Sequence, residues 1–251
     1  MESIKGKVAL VTGGNAGIGK ATALQFAKNG AKVVVAARRV EEGKETVKQI
    51  VDQGGDAIFV KTDVVLAQEV EALVKQTVDT YGKLDYAFNN AGIIGPNDPV
   101  EELEEEGFLE VMQTNVIGVW LCMKYELQQM QGQGKGVIIN TSSVAGLNSG
   151  GTGAPYVTSK HAVIGLTKAA ARENAMKGIR INAVCPGLIR TQIIDDIKQG
   201  NPEMLDKMLQ SYPMGRIGEP EEVAEVVVWL CSDGASYVTG HSFLVDGGRL
   251  L

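Results

Sequence analysis

Short apolar runs recur along the chain at residues 8–11, 32–36, 57–61, 86–88, 137–140, 179–184 and 242–245. Most lack polar alternation, as expected of strands buried on both faces. Between most of them the apolar positions fall at helical spacing. In residues 40–52 the stripe is Val47, Ile50 and Val51; in 66–81 it is Val70, Leu73, Val74 and Val78. Residues 20–29, with Ala21, Leu24, Phe26 and Ala27, predict another helix closed by Gly30, and 107–131 and 155–177 predict two long ones. Alternating strand and helix predict an α/β chain with a parallel sheet and helices on both faces. The right-handed crossover rule makes that sheet doubly wound, with ligands beyond the carboxyl ends of its strands. No Pro/Ser-rich linker, low-complexity stretch or internal repeat divides residues 1–251, so one domain with seven strands is expected.

Composition narrows the function classes. A hydrophobic content of 44% suffices for a large core, and a net charge of −6 argues against nucleic acid as a partner. The acidic run Glu101-Glu102-Leu103-Glu104-Glu105-Glu106 predicts a helix start, where carboxylates complement the dipole. Cys122, Cys185 and Cys231 are far apart and odd in number, which suits buried thiols in a reducing compartment. With only His161 and His241, no histidine-based metal site is expected. There is no secretory signal pattern and no apolar run long enough to span a bilayer, so a soluble cytoplasmic protein is expected.

Two segments carry chemistry. Thr12-Gly13-Gly14-Asn15-Ala16-Gly17-Ile18-Gly19 follows the first apolar run and precedes the first helix. Glycines let a backbone turn tightly and approach a pyrophosphate, while the helix start offers N–H groups and a positive dipole end. The spacing Gly13-x3-Gly17-x-Gly19 differs from the G-x-G-x-x-G of many dehydrogenases. Farther on, Tyr156 and Lys160 lie four residues apart, on one face of a predicted helix. An ammonium beside a phenol stabilises the phenolate and lowers its pKa. Such a phenol can give a proton to a carbonyl oxygen, or take one from an alcohol, near neutral pH. Ser143, thirteen positions before the tyrosine, can hold the same oxygen.

These motifs occur in order with Asn89-Asn90-Ala91-Gly92, Asn115 and Pro186-Gly187. The chain thereby resembles the short-chain dehydrogenase/reductase family in its short form, from residue 6 to residue 248. The resemblance implies a Rossmann-type domain and hydride transfer between a nicotinamide dinucleotide and a carbonyl or secondary-alcohol substrate. It makes Tyr156 the general acid for reduction and the base for oxidation. Lys160 lowers the pKa of Tyr156 and bonds the nicotinamide ribose, and Ser143 holds the substrate oxygen. Asn115 holds a water linking Lys160 to solvent, and a kink there is sensible because Asn is a poor mid-helix residue.

For the cofactor, the resemblance assigns the phosphate loop to Gly13, Asn15, Gly17, Ile18 and Gly19. Asp63 bonds the adenine amino group and Val64 flanks the ring; a helix N-cap is an equal alternative for Asp63. Asn90, Ala91 and Gly92 lie against the adenine ribose. Pro186, Gly187, Ile189 and Thr191 hold the nicotinamide end. Ala37 stands where NAD-preferring members carry Asp, and Arg38 follows with a guanidinium able to bond a 2′-phosphate. NADP(H) is therefore expected to be preferred, with NAD(H) possible, and Arg39 is expected to be solvated.

Substrate choice is expected in Leu147-Asn148-Ser149-Gly150-Gly151-Thr152-Gly153 and in a lid at about 190–215 carrying Ile193, Ile194, Ile197, Met204, Met208 and Leu209. Without charges there that demand an anionic substrate, an uncharged ketone fits best. A 3-oxoacyl thioester reductase shares the motifs and would need basic groups such as Lys168 and Arg172 to dock its acidic carrier. A non-catalytic dinucleotide sensor is disfavoured because Asn115, Ser143, Tyr156 and Lys160 are all present. The resemblance also implies a homotetramer or homodimer through the two long helices.

Overall fold

The computed structural model describes residues 4–149, 151–191, 194 and 202–251. Seven strands form one sheet: β1 (Val8–Thr12), β2 (Lys32–Ala37), β3 (Asp56–Lys61), β4 (Tyr86–Asn89), β5 (Gly136–Thr141), β6 (Ile179–Pro186) and β7 (Ser242–Val245). Their spatial order is β3-β2-β1-β4-β5-β6-β7, with every pairing parallel. The chain winds outward from β1 to β3, then crosses back and winds the other way from β4 to β7. This is the expected doubly wound sheet, and its direction switches between β1 and β4, where such sheets bind ligands.

Eight α-helices accompany it: α1 (Gly17–Lys28), α2 (Val40–Asp52), α3 (Ala67–Tyr81), α4 (Glu105–Met112), α5 (Gly118–Gln133), α6 (Ala154–Asn174), α7 (Pro202–Leu209) and α8 (Pro220–Cys231), counted among the described residues. Successive strand residues point to opposite faces. Ala9, Val11, Val33, Val35 and Phe88 meet α1, α2 and α8 in one core; Leu10, Val34, Ala87 and Ile138 meet α3, α5 and α6 in the other. Burial on both faces is why the strand runs carry so little polar alternation. Phe26 and Phe88 are completely buried, and truncating either to Ala is expected to cost about 3–5 kcal/mol.

Two helices differ from expectation in ways that shape the site. α1 begins at Gly17 rather than near Lys20, so the glycine loop itself supplies the helix start. The helix expected over 107–131 begins at Glu105, is interrupted by a π turn at Gln113–Ile117, and resumes as α5 to Gln133. A single wide turn leaves the apolar spacing on either side nearly helical, so periodicity does not reveal it. Of the acidic run, Glu105 and Glu106 occupy the first turn of α4. Among the described residues no helix is long and apolar enough to cross a membrane.

Candidate active site

The glycine loop closes on itself at the switch between β1 and β4. Gly13 and Gly17 have φ of 64° and 50°, a region that glycine enters freely. A Cβ on Gly19 would fall 2.2 Å from the Gly13 carbonyl oxygen, and one on Gly13 would fall 2.9 Å from Asn90 Nδ2. The Asn90 amide donates to the carbonyls of Thr12 at 3.3 Å and Gly13 at 3.4 Å. In return Thr12 Oγ1 accepts from the N–H groups of Asn90 and Ala91 at 3.0 and 3.2 Å. No side chain caps α1 and no acidic residue occupies its first turn. Its N–H groups and dipole therefore face an open, anion-favouring position. A Cβ on Gly17 would lie 3.3 Å from Thr191 Cγ2, so the segment after β6 approaches the same helix start.

A cavity of about 240 Å³ adjoins the loop, lined by Gly13, Asn15, Arg38, Asp63, Val64, Ala91 and Gly92 of the expected set. Ala36, Ala37, Arg39, Thr62, Ile93 and Thr114 complete it. Small walls and two guanidinium groups suit a flat base and a phosphate. A larger, open concavity of about 800 Å³ lies over α4 and the π turn, but Glu105, Glu106 and Glu110 line it and would repel an anionic dinucleotide.

Arg38 Nη1 stands 3.9 Å from Asp63 Oδ2, an exposed pair of little energetic weight. Arg39 is not simply solvated: with the Asn15 amide turned so that its oxygen faces the guanidinium, Nη2 and Nε donate to it at 2.7 and 2.9 Å, and Nη1 lies 3.4 Å from Glu42 Oε1. The phosphate loop and the end of β2 are thus tied together by a contact between distant segments. Nor does Asp63 cap α3, whose N-cap is Leu66. Its carboxylate accepts from the Val65 N–H at 3.3 Å, and its own N–H donates to Glu69 Oε2 at 2.7 Å.

Beyond β5 the candidate catalytic groups converge. Ser143 follows the strand and caps the short turn Val144–Gly146, its Oγ accepting from the Ala145 N–H at 3.1 Å. α6 carries Tyr156 and Lys160 in its first turns. Lys160 is buried; its Nζ donates to the Thr141 carbonyl at 2.9 Å and lies 5.4 Å from the Tyr156 ring centroid. Desolvation brings its pKa down to about 8, against the charge of a Cys185 thiolate, which would raise it. Desolvation raises the pKa of Tyr156, and the Ser143 hydroxyl opposes that rise. The expected depression of the phenol by Lys160 is therefore outweighed by burial in the isolated chain, and an ammonium with a pKa of about 8 has given up its proton before the pH at which the phenol ionises.

Asn115 sits in the π turn, wholly buried. Its amide accepts from the Ile93 N–H at 2.9 Å and donates to the Ile93 carbonyl at 2.8 Å and to Ser159 Oγ at 3.0 Å. Ser159 Oγ donates in turn to the Tyr156 carbonyl at 2.7 Å. A Cβ on Gly92 would lie 3.0 Å from Asn115 Oδ1 and 3.6 Å from Lys160 Nζ, so glycine lets these groups draw together. Thr141, Ser142 and Ser159 were not expected as site residues. Thr141 acts through its carbonyl, which any residue type offers. Ser142 Oγ donates to the Lys160 carbonyl at 2.9 Å; its place beside Ser143 was the available signal.

After β6, Pro186 and Gly187 lead to Leu188 and Ile189, and Ile189 forms a parallel bridge with Gly218. Leu188, Ile194 and Leu205 form a small apolar cluster with Met208, Leu209, Tyr212 and Ile217. The expected lid residues Ile193 and Ile197, the Met204 side chain, and Gly150 of the preceding loop lie outside the described residues.

Comparisons with known proteins agree in kind. Residues 13–249 match the family model described as enoyl-(acyl carrier protein) reductase. A cyclohexanol dehydrogenase from Acinetobacter sp. (strain SE19) is 45% identical over 241 residues, spanning 96% of this chain and 94% of that protein. A 3-oxoacyl-(acyl-carrier-protein) reductase from Staphylococcus aureus is 40% identical over 246 residues, spanning 98% of each. The crystal structure of levodione reductase superposes with a TM-score of 0.94 at 36% identity, covering 98% of both chains.

Proposed function

The chain belongs to the short-chain dehydrogenase/reductase family and is an oxidoreductase of CH–OH and C=O groups; we propose that it is an NADP(H)-dependent carbonyl reductase or secondary-alcohol dehydrogenase. The observation that carries this reading is the meeting of Ser143, Tyr156 and buried Lys160 beyond β5, close to the glycine-floored loop. The dinucleotide supplies or accepts the hydride. Ser143 Oγ holds the substrate oxygen. Tyr156 gives that oxygen its phenolic proton in reduction and takes it back in oxidation. Lys160, fixed by the Thr141 carbonyl, faces the phenol and bonds the ribose of the nicotinamide half. Asn115 fastens the turn after β4 to α6, which keeps Lys160 and Gly92 in register.

Preference for NADP(H) is supported by Arg38 and Arg39 at the end of β2, where Ala37 replaces a carboxylate that would repel a 2′-phosphate. NAD(H) is expected to serve more weakly. The apolar cluster around Leu188 and Ile194, together with the activities named for the two relatives that act on ring compounds, supports an uncharged ring ketone or its alcohol as substrate. Exposed Lys168 and Arg172 on α6 support a second reading, a 3-oxoacyl thioester reductase served by an acidic carrier. Exposed Leu109, Ile117 and Trp120 along α4, the π turn and α5 support a homo-oligomer.

NADPH oxidation with cyclohexanone and with a 3-oxoacyl thioester, measured side by side, tests the assignment. The expected result is a kcat/KM for the ketone at least about tenfold higher. Preference for the thioester would move the enzyme to fatty-acid chemistry, and tight NADPH binding with no turnover would make it a sensor.

A further inference from the structure

Three segments meet behind Pro186-Gly187, the turn that the family resemblance gives to the nicotinamide end. The turn itself is one, the tail after β7 is the second, and the chain leaving α7 at Tyr212 is the third. Contact is close: a Cβ on Gly187 would fall 2.9 Å from both Tyr212 Cε1 and Asp246 Cα. The Gly187 N–H donates to the Val245 carbonyl at 3.0 Å, and the Met214 N–H donates to the Gly247 carbonyl at 3.1 Å. The Asp246 carboxylate accepts from the N–H groups of Gly248 and Leu250, each at 3.0 Å, which curls the tail back on itself. That curl sets the Arg249 guanidinium 5.9 Å from the Tyr212 ring centroid, within cation–π range. Tyr212 also belongs to the apolar cluster of Leu188, Ile194 and Leu205.

We propose that Tyr212, steadied by Arg249, is a positioning residue that sets where the Gly187 peptide stands, and through it where the nicotinamide end is presented. The proposal rests on the reading of Pro186 to Thr191 as the nicotinamide segment. Gly187 has no side chain to hold its place, so its position follows from what presses on it. The Tyr212 ring and the tail backbone at Asp246 both stand where a side chain on Gly187 would go. Removing the ring opens a void into which the peptide relaxes. Hydride transfer is sensitive to such movement, since a displacement of about 1 Å can cost about a hundredfold in rate. The cavity at the ends of β2 and β4 touches neither Tyr212 nor Arg249, so the adenosine half is expected to bind as before. A substitution here thus separates presentation from affinity.

The test compares the full-length wild type with Tyr212→Ala, Tyr212→Phe and Arg249→Ala. NADPH emission on binding reports the surroundings of the nicotinamide without turnover. Displacement by adenosine 2′,5′-bisphosphate reports the adenosine half, and kcat and KM with cyclohexanone report chemistry. Tyr212→Ala is expected to lose most of the emission change and about tenfold in kcat, with bisphosphate affinity held within about threefold. Tyr212→Phe keeps the ring and is expected to restore emission and kcat, while Arg249→Ala falls between. Wild-type emission and kcat in Tyr212→Ala, or a parallel loss of bisphosphate affinity, would overturn the proposal. Should Tyr212→Ala not fold, unchanged emission and kcat in Arg249→Ala would overturn it equally. A wild type without turnover on any carbonyl would overturn the proposed function alone, and loss of the emission change in the variants would still support the positioning role.

Discussion

Lys160 carries its ammonium into a site from which side chains exclude water, and its pKa falls to about 8 as a result. Tyr156 is pushed the opposite way by the same desolvation, so the phenol keeps its proton at neutral pH. Reduction needs that proton and is expected not to accelerate toward alkaline pH. Oxidation needs the phenolate, which burial holds above its ordinary pKa, and is expected to climb from neutral toward alkaline pH. Initial rates in both directions check this; oxidation that declines steadily through that range would contradict it. Arg38→Ala is expected to lower kcat/KM for NADPH about tenfold and leave NADH nearly unchanged, since the lost partner would be the 2′-phosphate. Equal losses with both cofactors would refute a phosphate contact. As candidates, Tyr156, Lys160 and Ser143 stood out by residue type and spacing, and Asn115 only through the family resemblance. The Arg39–Asn15 contact was not legible, because it joins loops that meet only once the sheet has formed. The Thr141 carbonyl was hidden for another reason: a backbone oxygen leaves no mark in residue type.

Among the elements, α5 hides the least expected side chain. Glu126 is completely buried, and its Oε2 accepts from Asn89 Nδ2 at 3.0 Å. Asn89 Nδ2 also donates to Asn140 Oδ1 at 3.0 Å, and Asn140 Nδ2 donates to Thr167 Oγ1 at 2.9 Å, so one polar seam joins α5, β4, β5 and α6. Among the described residues Glu126 Oε1 and Asn89 Oδ1 have no hydrogen-bond partner. Desolvation lifts the carboxyl to about 8 from an ordinary 4.5, with the Asn89 amide opposing. Because the folded pKa is the higher one, the stability linked to this proton is full below about 4.5 and is lost as pH rises to about 8. Glu126→Gln, a neutral isostere, is therefore expected to gain on wild type across that window, by about 5 kcal/mol at most. Urea unfolding of both proteins at the two ends of the window measures it; an equal difference at each end would contradict the linkage. The strands and most helices were legible from period alone. The π turn was foreshadowed only as a kink at Asn115, from residue type, and the burial of Glu126 not at all, because both depend on partners from other elements.

For the whole molecule, the order of the seven strands follows from alternation, burial on both faces and right-handed crossovers, and all three were visible in the apolar runs. Association was not visible in them, since an apolar helix face can meet its own core or a second copy. Trp120 is 45% exposed on α5, with Lys124 Nζ 5.8 Å from its ring centroid. Sedimentation is expected to give a particle heavier than the 26.7 kDa chain, and Trp120→Glu is expected to shift it to a lighter species. A wild type sedimenting as a single chain would remove the oligomer from the account. The central claim is that Tyr156 supplies the proton for NADPH-dependent carbonyl reduction. The most direct test is the rate of NADPH oxidation with cyclohexanone by wild type and by Tyr156→Phe, with NADPH affinity measured on both. The account predicts turnover by wild type, a loss of about a thousandfold or more in the variant, and affinity within about threefold; a variant that keeps its rate would contradict it.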